Sequence, residues 1–140
     1  MAVGYSGTPL PKKLGLKAPM LLVVVDAPTP YESIVGELPE GVVRGHKASR
    51  TTNMAHVFAT QRAALSTHLR VLRKTLGDEA SVWVSWPKKT SKVATDITED
   101  TVRELCLPLG YVDVKVCAVT DVWSGLKLVV RKELRGRSAA

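Results

Sequence analysis

The run Met20-Leu21-Leu22-Val23-Val24-Val25 constrains this chain more than any other segment. It is continuously apolar and lies between Pro19 and the turn Asp26-Ala27-Pro28. It is far too short to cross a bilayer, which takes about 20 residues as a helix. A short apolar run without polar alternation describes a strand, here Leu21–Val25, covered on both faces, as in a parallel sheet flanked by helices. With 140 residues, the chain has length for one such domain and not comfortably for two.

The remaining segments supply the layers. A helical turn is expected at Leu10–Leu14, ended by Gly15. A short helix is expected over Tyr31–Leu38, with Thr29 placed to cap it, Pro30 in its first turn, and Tyr31, Ile34, Val35 and Leu38 at helical spacing. Gly41–Arg44 reads as a second strand, His46–Asn53 as a loop and Ala55–Thr60 as a third strand. The clearest helix is Gln61–Leu76: Ala64, Leu65, His68, Leu69, Leu72 and Leu76 mark one face, and Gly77 supplies the stop. Ser81–Trp86 is a strand ended by Pro87. A helix opens at Thr98-Glu99-Asp100, whose acidic residues suit the positive helix end, and runs to Leu107. Tyr111–Val119 and Leu126–Arg131 alternate as strands of a hairpin closed by Thr120–Gly125.

Strands separated by helices predict a single Rossmann-like three-layer α/β domain over residues 1–135. Its sheet is mostly parallel with one antiparallel C-terminal strand, and residues 136–140 form a flexible tail. Cys106 and Cys117 sit among apolar neighbours and read as buried reduced thiols. With a small, polar opening segment that lacks the pattern of a secretory signal, this predicts a cytoplasmic protein with no membrane span. The formal charge is +7, from 20 Lys+Arg against 13 Asp+Glu. Residues 1–70 carry eight basic and four acidic side chains and residues 71–140 carry twelve and nine, so neither half is a dedicated basic tail. Such a surface favours anionic partners and equally serves solubility.

Four segments together resemble a bacterial family catalogued as domain of unknown function 3052. They are Gly4-Tyr5-Ser6-Gly7-Thr8-Pro9-Leu10 with Lys12-Lys13-Leu14-Gly15, Trp83-Val84-Ser85-Trp86-Pro87-Lys88-Lys89, Val112-Asp113-Val114-Lys115-Val116-Cys117, and Trp123-Ser124-Gly125-Leu126-Lys127-Leu128. The resemblance runs over nearly the whole chain and implies a small bacterial cytosolic protein; it brings no activity and no catalytic residue. The element order is also similar to the back half of a class I methyltransferase, a likeness of topology that does not carry function. A methyltransferase site needs a glycine-rich turn after its first strand and an acidic residue after its second. Here the first turn is Asp26-Ala27-Pro28-Thr29-Pro30-Tyr31, without glycine, and the second is the basic Arg44-Gly45-His46-Lys47. S-adenosylmethionine in the usual pose is therefore not expected, and no cofactor is predicted.

No metal site is predicted, because His46, His56 and His68 are ten and twelve residues apart with no ligand-spaced partner. Asp96, Glu99 and Asp100 are explained by a helix N-terminus. His68 is expected at a packing margin. Ligands of an open α/β sheet sit beyond the carboxyl ends of its parallel strands. That rule selects Asp26 and Tyr31 after the first strand, Thr60 and Arg62 after the third, and Ser85, Lys88 and Lys89 at the fourth. An antiparallel last strand would return Trp123 and Ser124 to the same edge, where an exposed tryptophan beside two lysines can hold an anion and stack a flat ring. The function expected is a non-enzymatic binding or regulatory module for a phosphate-bearing ligand, a nucleotide or a nucleic-acid backbone. The alternatives are a degenerate S-adenosylmethionine-dependent methyltransferase-like enzyme, and a homodimeric interaction protein pairing through its edge strand.

Overall fold

The computed structural model describes residues 8–136. Its six strands are β1 (Met20–Val25), β2 (Val42–Gly45), β3 (Met54–Phe58), β4 (Ser81–Pro87), β5 (Tyr111–Ala118) and β6 (Trp123–Val130). They form one sheet in the order β2-β1-β3-β4-β6-β5. The pairs β1–β2, β1–β3 and β3–β4 are parallel, and β6 runs antiparallel to both β4 and β5. One reversed strand at the C-terminus is the arrangement expected from the element order.

The helices are α1 (Leu10–Lys13), α2 (Tyr31–Val35), α3 (Arg62–Thr75) and α4 (Glu99–Cys106). Two apolar clusters divide the layers. On one face Leu65, Leu69 and Leu72 of α3, with Val102 and Cys106 of α4, pack on Val82, Val84 and Trp86 of β4. On the other, Leu14 and Leu16 of the α1 segment and Tyr31 and Val35 of α2 pack on Leu22, Met54, Phe58 and Trp83. Every residue of β3 is buried, as is every residue of β4 after Ser81, which is why these strands show no polar alternation. α4 begins at a reciprocal cap: the Thr98 hydroxyl accepts from the Thr101 amide, and the Thr101 hydroxyl accepts from the Thr98 amide.

Several boundaries differ from the sequence expectations; β3, for one, spans Met54–Phe58 rather than Ala55–Thr60, which leaves Thr60 in the turn after the strand. α2 stops at Val35 rather than Leu38, because Gly36 turns into the left-handed region at φ 93° and Pro39 follows. β6 begins at Trp123, so Trp123, Ser124 and Gly125 belong to a strand and not to the hairpin loop: they pair with Pro87, Trp86 and Ser85. Of the expected tail, the Gly136 amide donates to Asp78 at 2.8 Å; residues 137–140 lie outside the described residues. A bulge between Asp113 and Lys115 interrupts the β5 ladder.

Trp83 organises the second cluster. Its side chain is fully buried, and its Nε1–H donates to the Leu14 carbonyl at 2.8 Å. The neighbouring strand yields to the ring: a Cβ on Gly125 would stand 3.2 Å from Trp83 Cε3 and 3.1 Å from Val119 Cγ2. Trp83→Ala is therefore expected to cost about 3–5 kcal/mol in denaturant unfolding. Trp83→Phe, which keeps most of the ring and leaves the Leu14 carbonyl without its donor, is expected to cost less. A loss under about 1 kcal/mol for the alanine variant would refute the central position of this side chain.

Candidate functional site

From β1 the chain passes outward to β2 and then back across β1 to β3. The carboxyl ends of β1 and β3 therefore flank the point where strand order reverses, the place where open α/β sheets bind ligands. A crevice of about 270 Å³ opens there, walled by Asp26, Pro28, Phe58, Thr60, Gln61 and Trp123, with Ala59 and Ala64 completing it. Trp123 is half-buried and meets Phe58 edge to face, with centroids 5.4 Å apart. Asp26 is the only charged side chain in these walls among the described residues.

Asp26 holds the turn in place of the expected glycine. Its φ is 58°, in the left-handed region that aspartate tolerates better than most side chains. Its Oδ2 lies 2.9 Å from His68 Nε2 on α3. An ionised carboxylate can only accept, so the proton of this bond sits on His68 Nε2. The two prolines that follow, Pro28 and Pro30, remove amide donors from the turn. At the end of β2, Arg44 reaches Glu32 of α2 at 3.4 Å and lies 5.4 Å over the Tyr31 ring.

Below the crevice a polar chain crosses the core. The Tyr31 hydroxyl is 2.8 Å from His56 Nδ1, and His56 Nε2 is 2.8 Å from the Ser85 hydroxyl. Phe58, the crevice floor, stacks on the His56 ring at 4.4 Å. Burial alone pulls the His56 pKa down to about 3, so the ring is neutral and has one N–H, with one nitrogen donating and the other accepting. Burial also pushes the Tyr31 phenol well above its ordinary range. Among the described residues no buried side-chain nitrogen or oxygen lacks a partner.

The structure thus brings together only part of the set chosen from strand ends. Asp26, Thr60 and Trp123 meet in the crevice. Tyr31 and Ser85 lie in the core with both hydroxyls engaged by His56, so they support the floor and do not face a ligand. Arg62 turns away to Glu104 at 3.1 Å. Ser124 pairs with Trp86 within the sheet. Lys88 is tied beside the hairpin by its amide, which donates to the Val122 carbonyl, but neither Lys88 nor Lys89 lines the crevice. The exposed tryptophan expected beside two lysines is instead packed on Phe58. The strand-end rule does not point to His56, Phe58, Gln61 or His68. His68 carried a usable signal: it lies four residues beyond Ala64 on one helix face, and that face begins at the sheet's carboxyl end.

The six-stranded sheet, its single reversed strand and the crevice at the switch point define a methyltransferase-like α/β fold. Solved structures agree. An S-adenosylmethionine-dependent methyltransferase from Aquifex aeolicus superposes with a TM-score of 0.60 and 15% identity, covering 85% of this chain and 87% of that one. The fibrillarin pre-rRNA processing protein of Methanococcus jannaschii matches with a TM-score of 0.58 and 8% identity over 91% and 70% of the two chains. Magnesium protoporphyrin IX methyltransferase of Synechocystis PCC 6803, solved with bound S-adenosylmethionine, matches with a TM-score of 0.55 and 9% identity over 86% and 74%. At these identities the likeness is one of fold. No protein-family model matches the sequence, and no curated protein matches it.

The buried histidine makes stability depend on pH. His56 takes up a proton in the unfolded chain below its ordinary value of 6.5, but in the folded chain only near 3. The unfolded state therefore binds more protons between those limits, and stability rises with pH across that window. Between pH 6 and pH 4, the wild type is expected to lose up to about 1.4 kcal/mol more per pH unit than His56→Gln. Urea unfolding of both proteins measures the difference, and equal slopes would refute a neutral, buried His56.

Proposed function

We propose that this chain is a methyltransferase-like binding protein whose crevice takes a compact organic cation, and that the sulfonium-bearing part of S-adenosylmethionine is the chemistry it matches. One observation carries the reading: among the described residues the only charged wall of the crevice is the Asp26 carboxylate, and it shares the lining with the rings of Trp123 and Phe58. A carboxylate next to aromatic rings favours positive charge and repels phosphate. This is why the crevice supports a cation better than the anionic ligand expected from the overall charge. The fold supports the same reading, since its structural neighbours include proteins named for S-adenosylmethionine.

The residues do not fit the whole cofactor in the usual pose. Pro28 and Pro30 withhold amides from the turn, the Arg44–Glu32 pair stands where an acidic residue would hold ribose, and about 270 Å³ is below the usual 300–1,000 Å³ of a drug-sized pocket. Binding in this reading therefore rests on the charged end of the ligand, and no methyl-transfer step is derived.

Calorimetry with S-adenosylmethionine, S-adenosylhomocysteine and adenosine monophosphate provides the test. S-adenosylmethionine is expected to bind best, because S-adenosylhomocysteine lacks the sulfonium charge. Asp26→Asn is expected to remove that preference, and Trp123→Ala to weaken binding about tenfold, equivalent to about 1.4 kcal/mol. Tighter binding of either competitor overturns the reading.

A further inference from the structure

A second site lies on the α1 side of the sheet, away from the switch-point crevice. Lys127 of β6 stands opposite Trp83 on one neighbouring strand and opposite Lys115 on the other. Like charges facing each other across a strand pair are destabilising unless something offsets them. Lys115 donates to the Lys13 carbonyl at 2.7 Å, which draws the α1 segment over this row. Lys17 follows on the same segment. Burial, and then the charges of Lys115 and Lys17, hold the Lys127 ammonium below the ordinary lysine range. Among the described residues no carboxylate pairs with Lys17, Lys115 or Lys127: the ion pairs found there use arginine or histidine as the cation.

The space beside this cluster is a groove. It has a volume of about 850 Å³ and apolar walls from Pro9, Pro11, Leu16 and Leu38. Its charged lining is Lys12 and Lys17 of the α1 segment and Glu37 and Glu40 of the connection between α2 and β2. Gly15 belongs to both features. Its φ is +82°, it lines the groove, and a Cβ there would stand 3.4 Å from Lys127 Nζ. Gly15 thus stands between the groove, whose own lining cations are Lys12 and Lys17, and the Lys127 ammonium just behind it.

We propose that this groove binds a phosphate monoester with an apolar body, its phosphate held at Gly15 by Lys127, Lys17 and Lys115 and its body lying along Pro11, Leu16 and Leu38. Glu37 and Glu40 repel an anion, which favours the phosphate at the lysine cluster. A phosphate supplies the negative charge that the facing lysines lack, and the lysines bind it as point charges. The volume is that of a small-molecule site. This site is independent of the Asp26 crevice and of any ligand there.

Calorimetric titration with inorganic phosphate and with hexyl phosphate tests the proposal. Hexyl phosphate is expected to bind saturably and more tightly than inorganic phosphate, with affinity falling as ionic strength rises. Lys127→Met, which keeps the apolar stem over the Trp83 row, is expected to weaken it at least tenfold. Lys88→Ala and Asp26→Asn are expected to leave it within twofold. Hexyl phosphate should also raise the thermal midpoint of the wild type and not that of Lys127→Met. Should that variant fail to fold, Lys115→Gln on the exposed edge strand gives the same readout. Vesicles containing phosphatidic acid form a second arm. Retention on them, lost in the lysine variant, supports the site with a lipid headgroup as its source; saturation by hexyl phosphate without retention supports it with a soluble ester. The proposal is overturned if neither hexyl phosphate nor the vesicles bind the wild type, or if the lysine variant binds as tightly as the wild type.

Discussion

The hydrogen bond from Trp83 to the Leu14 carbonyl joins residues 69 positions apart, and both candidate sites depend on it. An indole in the middle of a buried strand needs an acceptor for its N–H, and no strand carbonyl is available because the ladders use them. The α1 segment supplies one and is thereby fixed over β4 and β6. Its fixed course brings Gly15 to Lys127 and puts Leu14 and Leu16 into the core. On the other side of the ring, Gly125 lets β6 lie close enough to carry Trp123 to the crevice. One large side chain thus sets the position of a loop and of a strand.

Much of the fold was legible because the signals were local. The apolar run Met20–Val25, its flanking prolines and the leucine spacing of α3 each specify an element without reference to the rest. The start of β6 was obscured because Ser124-Gly125 has the composition of a turn. A Cβ on Gly125 would crowd Val119 and the Trp83 ring, and the ring lies in a strand some forty residues earlier. α2 is shorter than its spacing predicts because Leu38 keeps the helical period after Gly36 has already broken the backbone.

The site was harder to read for a related reason. Nearness to a strand end says that a residue is at the right depth in the sheet, but not which way its side chain turns. Asp26 and Thr60 turn into the crevice; Tyr31 and Ser85, chosen by the same rule, turn inward to His56. A histidine within a buried apolar strand is compatible with folding only if both ring nitrogens are satisfied, and its partners are 25 and 29 residues away. Net charge misled in a similar way. It belongs to the whole surface, whereas the crevice wall carries a single acid and Lys17, Lys115 and Lys127 gather around Gly15.

The bulge in β5 bears on how copies of this chain meet. A sheet open at both sides presents two rows of unpaired backbone groups, and such rows are where chains zip together. At one side, β2 is only four residues long. At the other, the bulge between Asp113 and Lys115 throws the ladder out of step midway, and Lys115 places a charge beside the break. Exposed Val114 and Val116 would otherwise make β5 an adhesive border. The same irregularity breaks the regular row of backbone groups that a second strand would need to pair along the whole of β5.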